Sequence, residues 1–143
     1  MNAVDTNILI YAHRDDAPHH AIAKKFLTDL ANSHQTWSIP WHCVHEFLCI
    51  VTHPRIFKPP TPLEKAIQQL QALFQCPHME LIGELEDYWI QLKDLIAKGR
   101  IVGPRIYDAR IAATCIQNGV KTLWSADRDF SRIGGIEVKN PLL

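Results

Sequence analysis

Short apolar runs suited to strands alternate along this chain with longer stretches whose apolar residues recur at helical spacing. An apolar strand occupies residues 2–6 and resumes at 8–10, after a break at Asp5-Thr6-Asn7, residue types that favour turns and helix N-caps. Further strands are expected at 36–39, which Pro40 ends, and at 79–82, 121–125 and 136–139. Helical spacing follows Pro18 (Ala23, Phe26, Leu27, Leu30), fills 41–52 (Val44, Phe47, Leu48, Val51), and restarts at Thr61-Pro62 with Leu63, Ile67 and Leu70. It returns over 84–97, and over 107–118 where Asn118-Gly119 forms the C-cap. Strands alternating with helices predict an α/β fold, a three-layer α/β/α sandwich around a short parallel sheet. In such sheets ligands gather outside the carboxyl ends of the strands.

No repeat, low-complexity tract or linker divides the 143 residues, which reads as one domain over 1–143, large enough to bury a core without disulfides. No apolar run approaches the roughly 18–20 residues of a membrane span. No basic segment precedes the short apolar run that Asp5 interrupts, so no signal peptide is expected. Cys43, Cys49, Cys76 and Cys115 show no C-x-x-C spacing and read as reduced thiols of a cytoplasmic protein. The formal net charge of zero argues against a protein that coats nucleic acid non-specifically. The charges are nonetheless uneven. Residues 80–94 are acidic, whereas Lys98, Arg100, Arg105, Arg110, Lys121, Arg128 and Arg132 make the C-terminal third basic. That segment is either a phosphate-binding surface or an ordinary solvated face.

Acidic residues fall where strands end or helices begin: Asp5, Glu46, Asp108, and the pair Asp127 and Asp129 after Ser125. Any one of them is accounted for as a helix cap. Several at the same edge of one sheet are not, because clustered carboxylates repel unless a cation neutralises them. Hard divalent cations with oxygen ligands are the natural complement.

The segments Val4-Asp5-Thr6-Asn7-Ile8-Leu9, His45-Glu46-Phe47, Tyr107-Asp108-Ala109-Arg110-Ile111-Ala112-Ala113 and Trp124-Ser125-Ala126-Asp127-Arg128-Asp129-Phe130 stand in the order and spacing of PIN domains. Over nearly its whole length the chain resembles the VapC (virulence-associated protein C) ribonuclease toxins of type II toxin–antitoxin systems. The resemblance implies a PIN-like domain whose catalytic and metal-holding acids are Asp5, Glu46, Asp108 and Asp127, supported by Asn7 and Ser125. Asp129 is a second option for the fourth acid. The two lie two residues apart on a segment expected to be extended, and Asp127 is favoured for the pocket. The implied cofactor is Mg²⁺ or Mn²⁺, one ion or two, which would polarise a scissile phosphate and activate a water for in-line attack. RNA, tRNA among the options, is the implied substrate. Arg105, Arg110, Arg128 and Arg132 either hold flanking phosphates or pair with the acids.

Other readings are weaker. His42, His45, Glu46 and Cys49 share one helical face, but H-E-x-x-H fails because residue 49 is Cys. An aspartyl-phosphate phosphatase needs a second carboxylate two residues after the first Asp, where this chain has Asn7. Neither G-x-x-x-x-G-K nor G-x-G-x-x-G is present. A non-catalytic RNA- or protein-binding module of the same fold is the remaining alternative. The resemblance also implies a homodimer and a short antitoxin whose helix docks in an apolar groove. One such groove is expected between the helices around Phe26-Leu27 and Leu70-Phe74. The rings of Trp37, Trp41, Phe47, Phe57, Trp89 and Trp124 exceed what a small core readily hides.

Overall fold

A computed structural model describes residues 1–143, the side chain of Ser131 apart. In chain order it runs β1 (Asn2–Val4), α1 (Thr6–His13), α2 (His20–Asn32), β2 (Trp37–Pro40), α3 (Trp41–Val51), α4 (Leu63–Phe74) and β3 (Met79–Ile82). Then follow α5 (Tyr88–Gly99), a 3₁₀ turn (Gly103–Arg105), α6 (Ile106–Gln117), β4 (Thr122–Trp124), a second 3₁₀ turn (Arg128–Arg132) and β5 (Glu137–Lys139).

The strands pair in parallel throughout, in the order β3-β2-β1-β4-β5. Parallel strands need helical crossovers, which cover both faces of the sheet and explain why the inner strands are apolar along their whole length. Ala3, Val4, Trp37, Ile39 and Leu123 are all fully buried. Helix α1 packs on both α2 and α3, α3 packs on α4, and α5 packs on α6. Right-handed crossovers put these two groups on opposite faces, because the chain moves outward from β1 to β3 and then returns past β1 to β4. The α/β sandwich expected from the alternation is the observed architecture.

Three local expectations are corrected. Residues 8–10 are not strand: Ile8, Leu9 and Ile10 lie buried in the middle of α1. So short an apolar run shows no helical period. The helix expected over 84–97 begins only at Tyr88, because Asp87 takes a left-handed conformation, φ 64°. The segment after Ser125 is not extended; Asp127 caps a 3₁₀ turn by accepting the Asp129 N–H at 2.8 Å.

The order of strands decides where chemistry can sit. From β1 the chain goes to β2 on one side, while β4 and β5 lie on the other, so the β1/β4 seam is the topological switch point. Crevices open at the carboxyl ends of the strands at such points. The seam is tightly closed at that end: the Asp5 N–H donates to the Trp124 carbonyl at 3.0 Å. Among the described residues no helix is long and apolar enough to cross a membrane.

Candidate active site

Asp5 leaves β1 at this seam, caps α1 by accepting the Thr6 N–H on Oδ1 at 2.7 Å, and is only 4% exposed. Its Oδ2 accepts the Ser125 hydroxyl at 2.7 Å and, more loosely, the Asn7 amide at 3.4 Å. The Cys43 thiol lies 3.6 Å from Oδ1. Asn7 in turn spans the seam, donating to Ser125 Oγ at 3.3 Å and accepting the Ala126 N–H at 3.1 Å. Ser125 Oγ also accepts the Asp127 N–H at 3.0 Å. These bonds lock the first turn of α1 to the loop after β4. Asn7 and Ser125 therefore hold Asp5 in place.

Glu46 approaches from the second turn of α3. Its Oε2 accepts the Thr6 hydroxyl at 2.8 Å, and Oε1 faces Arg110 Nη2 at 3.4 Å. Asp108, the third residue of α6, is half-buried and lies within electrostatic reach of all the other acids. Burial, and then the charges of Asp127, Asp5, Glu46 and Asp129 in that order, push its pKa up to about 6. Burial also drives Asp5 up to about 6, with the Glu46 charge adding to it and the Ser125 and Thr6 hydrogen bonds opposing it. The structure thus brings Asp108 within electrostatic range of Asp5, Glu46, Asp127 and Asp129. Asp127 presses on Asp108 harder than the more exposed Asp129 does.

The donor set suits a hard cation: every acid offers oxygen, and burial first, with neighbouring acids adding to it, disfavours the ionised forms of Asp5 and Asp108, which a divalent ion would offset. No three His, Cys, Asp or Glu side chains among the described residues form a ready-made ligand set. Glu46, engaged by Thr6 and Arg110, would have to turn inward to join one.

The arginines divide. Arg110 pairs with Glu46, the acid-pairing option rather than a free phosphate contact. Arg105 donates to the Asp129 carbonyl at 3.4 Å, and Arg132 is exposed, lining a cavity with Asp94 and Lys98 away from the acids. Arg128 is exposed beside Asp127. The His42/His45/Cys49 face forms no metal cluster among the described residues: His42 is buried against Glu84 at 3.2 Å, while His45 and Cys49 are exposed. Sequence reasoning did not single out Thr6 or Cys43. The hydroxyl of Thr6, adjacent to Asp5, joins Asp5 to Glu46, and the D-T-N order is the only sequence signal for it.

The PIN domain family model matches residues 3–136. The chain is 34% identical to VapC ribonuclease Mb2897 of Mycobacterium bovis over 142 residues, covering 99% of this chain and 96% of that protein. The chain belongs to the VapC family of PIN-domain proteins. Solved VapC structures share its fold at lower identity. VapBC2 from Rickettsia felis, bound to a DNA fragment from its promoter, superposes with a TM-score of 0.70 at 22% identity, covering 97% of each chain. VapC20 of Mycobacterium tuberculosis, described as a Sarcin-Ricin loop cleaving toxin, gives 0.71 at 15% identity over 96% of this chain and 98% of that one. The acids described above lie within the span that the PIN model covers.

Proposed function

We propose that this VapC-family chain is a divalent-cation-dependent endoribonuclease acting in the cytoplasm as the toxin of a toxin–antitoxin pair. The observation that carries the reading is the buried Asp5 carboxylate, raised in pKa at the switch point of a PIN-family sheet, within electrostatic range of Asp108, which also feels Glu46 and Asp127. Asp5, Asp108, Glu46 and Asp127 would hold Mg²⁺ or Mn²⁺. When bound, such an ion polarises a phosphoryl oxygen and lowers the pKa of a water. Asn7 and Ser125 orient Asp5, so that its carboxylate need not reorganise as substrate arrives. A carboxylate left partly free of the ion takes the proton from the attacking water. The basic C-terminal third steers RNA phosphates to the crevice.

Silencing falls to a partner. A cavity of about 430 Å³ between α1, α2 and α4 supports a docking place there, lined by Leu27 and Leu73 but also by His13, Asp15, His20 and Lys24, while Phe26, Leu70 and Phe74 of the expected groove do not line it. It suits an antitoxin helix with one apolar and one acidic edge. Trp37 and Phe47 are swallowed by the core, whereas Trp89 (63% exposed) and Ile90 (60%) on α5 leave apolar surface for a second copy of the chain.

The test is cleavage of total cellular RNA by the purified protein, with the fragment ends sequenced. Cleavage is expected with Mg²⁺ or Mn²⁺, is abolished by EDTA, and is poorly restored by Ca²⁺. Binding of RNA without cleavage under any divalent ion would leave a non-catalytic module. The fourth acid has its own test. Asp127→Ala should reduce cleavage at least tenfold more than Asp129→Ala, because Asp127 is the nearer charge on Asp108. The reverse order of the two rates would move the ligand to Asp129.

A further inference from the structure

Both oxygens of Glu46 are engaged, and by groups of different kinds. The Thr6 hydroxyl holds Oε2 at 2.8 Å, a firm neutral bond. The Arg110 guanidinium meets Oε1 at 3.4 Å, well beyond the ~2.8 Å of a tight charge-assisted bond. The two side chains are 30% and 34% exposed, so the pair is weak and open to exchange. Arg110 is held from elsewhere. Its guanidinium carbon sits over the Tyr107 ring, 5.0 Å from the centroid, and Nε is shut away from solvent without a hydrogen-bond partner. The Tyr88 hydroxyl binds the Arg110 carbonyl at 3.5 Å, tying this turn of α6 to the start of α5. The guanidinium can therefore keep its place while its inner contact is replaced.

We infer that Arg110 is a built-in counter-ion that occupies Glu46 until a divalent cation displaces it, and that this exchange frees Arg110 to take a phosphate oxygen of the RNA. The inference rests on the metal-dependent reading above. A guanidinium stays charged at every physiological pH, so it relieves part of the repulsion among the acids when no metal is bound. A divalent cation drawing on Glu46 meets that positive charge and must compete with it. Ion and guanidinium therefore weaken each other at Glu46. Once released, the guanidinium on its tyrosine support offers a planar fork of donors to a phosphodiester. Tyr107, 61% exposed, leaves that side of Arg110 accessible. Linkage adds a reciprocal consequence: a phosphodiester that holds Arg110 tightens the cation by the same factor by which the cation tightens the phosphodiester.

The experiment measures Mn²⁺ affinity of the full chain from the electron-spin resonance of free Mn²⁺, for wild type, Arg110→Gln and Arg110→Lys. Each is titrated with and without a short single-stranded oligodeoxynucleotide, checked to be intact, as the phosphodiester probe. Arg110→Gln should bind Mn²⁺ about tenfold more tightly than wild type, and Arg110→Lys, which keeps the charge, should stay near wild type. The oligodeoxynucleotide should tighten Mn²⁺ for wild type and have no effect on Arg110→Gln. Arg110→Met, which keeps the aliphatic stem, serves the same purpose if the glutamine variant does not fold. Equal or weaker Mn²⁺ binding by the neutral variants, beside a wild type that binds Mn²⁺, overturns the counter-ion role and leaves the ribonuclease reading standing. A wild type that binds no Mn²⁺ overturns both.

Discussion

Asp5→Asn and Asp108→Asn should each lower RNA cleavage by roughly 10²- to 10⁴-fold while the protein stays folded. The size follows from what the substitution removes. A neutral amide keeps the shape of the side chain but offers one weak oxygen where the proposed ion would meet a full charge. The fold should survive for reasons specific to each position. At residue 5, Asn is as good an N-cap as Asp, and its oxygen can still accept the Thr6 N–H that Asp5 accepts at 2.7 Å. Its nitrogen then faces Ser125, whose oxygen already accepts from Asn7 and the Asp127 N–H, so this one bond is lost while the cap remains. Asp108 is half-buried in the first turn of α6, whose core contacts are made by Ala109, Ile111 and Ala112. The check is single-turnover cleavage with circular dichroism on the same samples. Near-wild-type rates in both variants would remove these acids from the reaction.

The second large effect is a reversal in stability. The folded-state pKa values of Asp5 and Asp108, about 6, lie above the usual carboxylate value, so the metal-free fold disfavours their ionised forms. Above pH ~6 both groups are ionised in folded and unfolded chains alike, and the folded state carries the whole penalty. As pH falls from 6 toward 4 the folded state takes up protons first, and the penalty fades. In EDTA at pH 7.5, Asp108→Asn should therefore be more stable than wild type by roughly 0.5–2 kcal/mol, or about 2–6 °C in Tm. That advantage should shrink at pH 5. Asp5→Asn should gain less, because it disturbs the bonds from Ser125 and Asn7. With Mn²⁺ at about 100 times its Kd the wild type gains about 2.7 kcal/mol that the variants lack, and the order reverses. Thermal melts in EDTA and in Mn²⁺ at the two pH values supply the comparison. Asp108→Asn melting clearly below wild type in EDTA would mean that this acid serves a structural bond.

The sheet and the parallel pairing were legible because they depend on patterns longer than any one element. What was lost is what burial erases. In α1 three consecutive apolar residues, Ile8, Leu9 and Ile10, are all buried, and so short an apolar run shows no helical period. Alternation could not order Asp127 and Asp129, because residues two apart on a strand share a face and Asp127 in fact caps a 3₁₀ turn. Asp108 feels Asp127 first because of where that turn places it. Arg110 could be narrowed only to phosphate or acid, because its partner lies 64 residues away on α3. The bond between Thr6 and Glu46, 40 residues apart, was likewise beyond any local reading.

The seam between β1 and β4 also governs when the site comes into being. Residues 120 apart meet in the Ser125–Asp5 bond, so the first strand to be synthesised waits for nearly the last. A chain interrupted before Thr122 can pair β1 with β2 and β2 with β3, yet Val4 then lies on an open edge and Asp5 lacks the hydroxyl that orients it. Contacts of such long range are slow to form. Unfinished or C-terminally clipped copies thus hold most of the acids without the arrangement that gives them purpose.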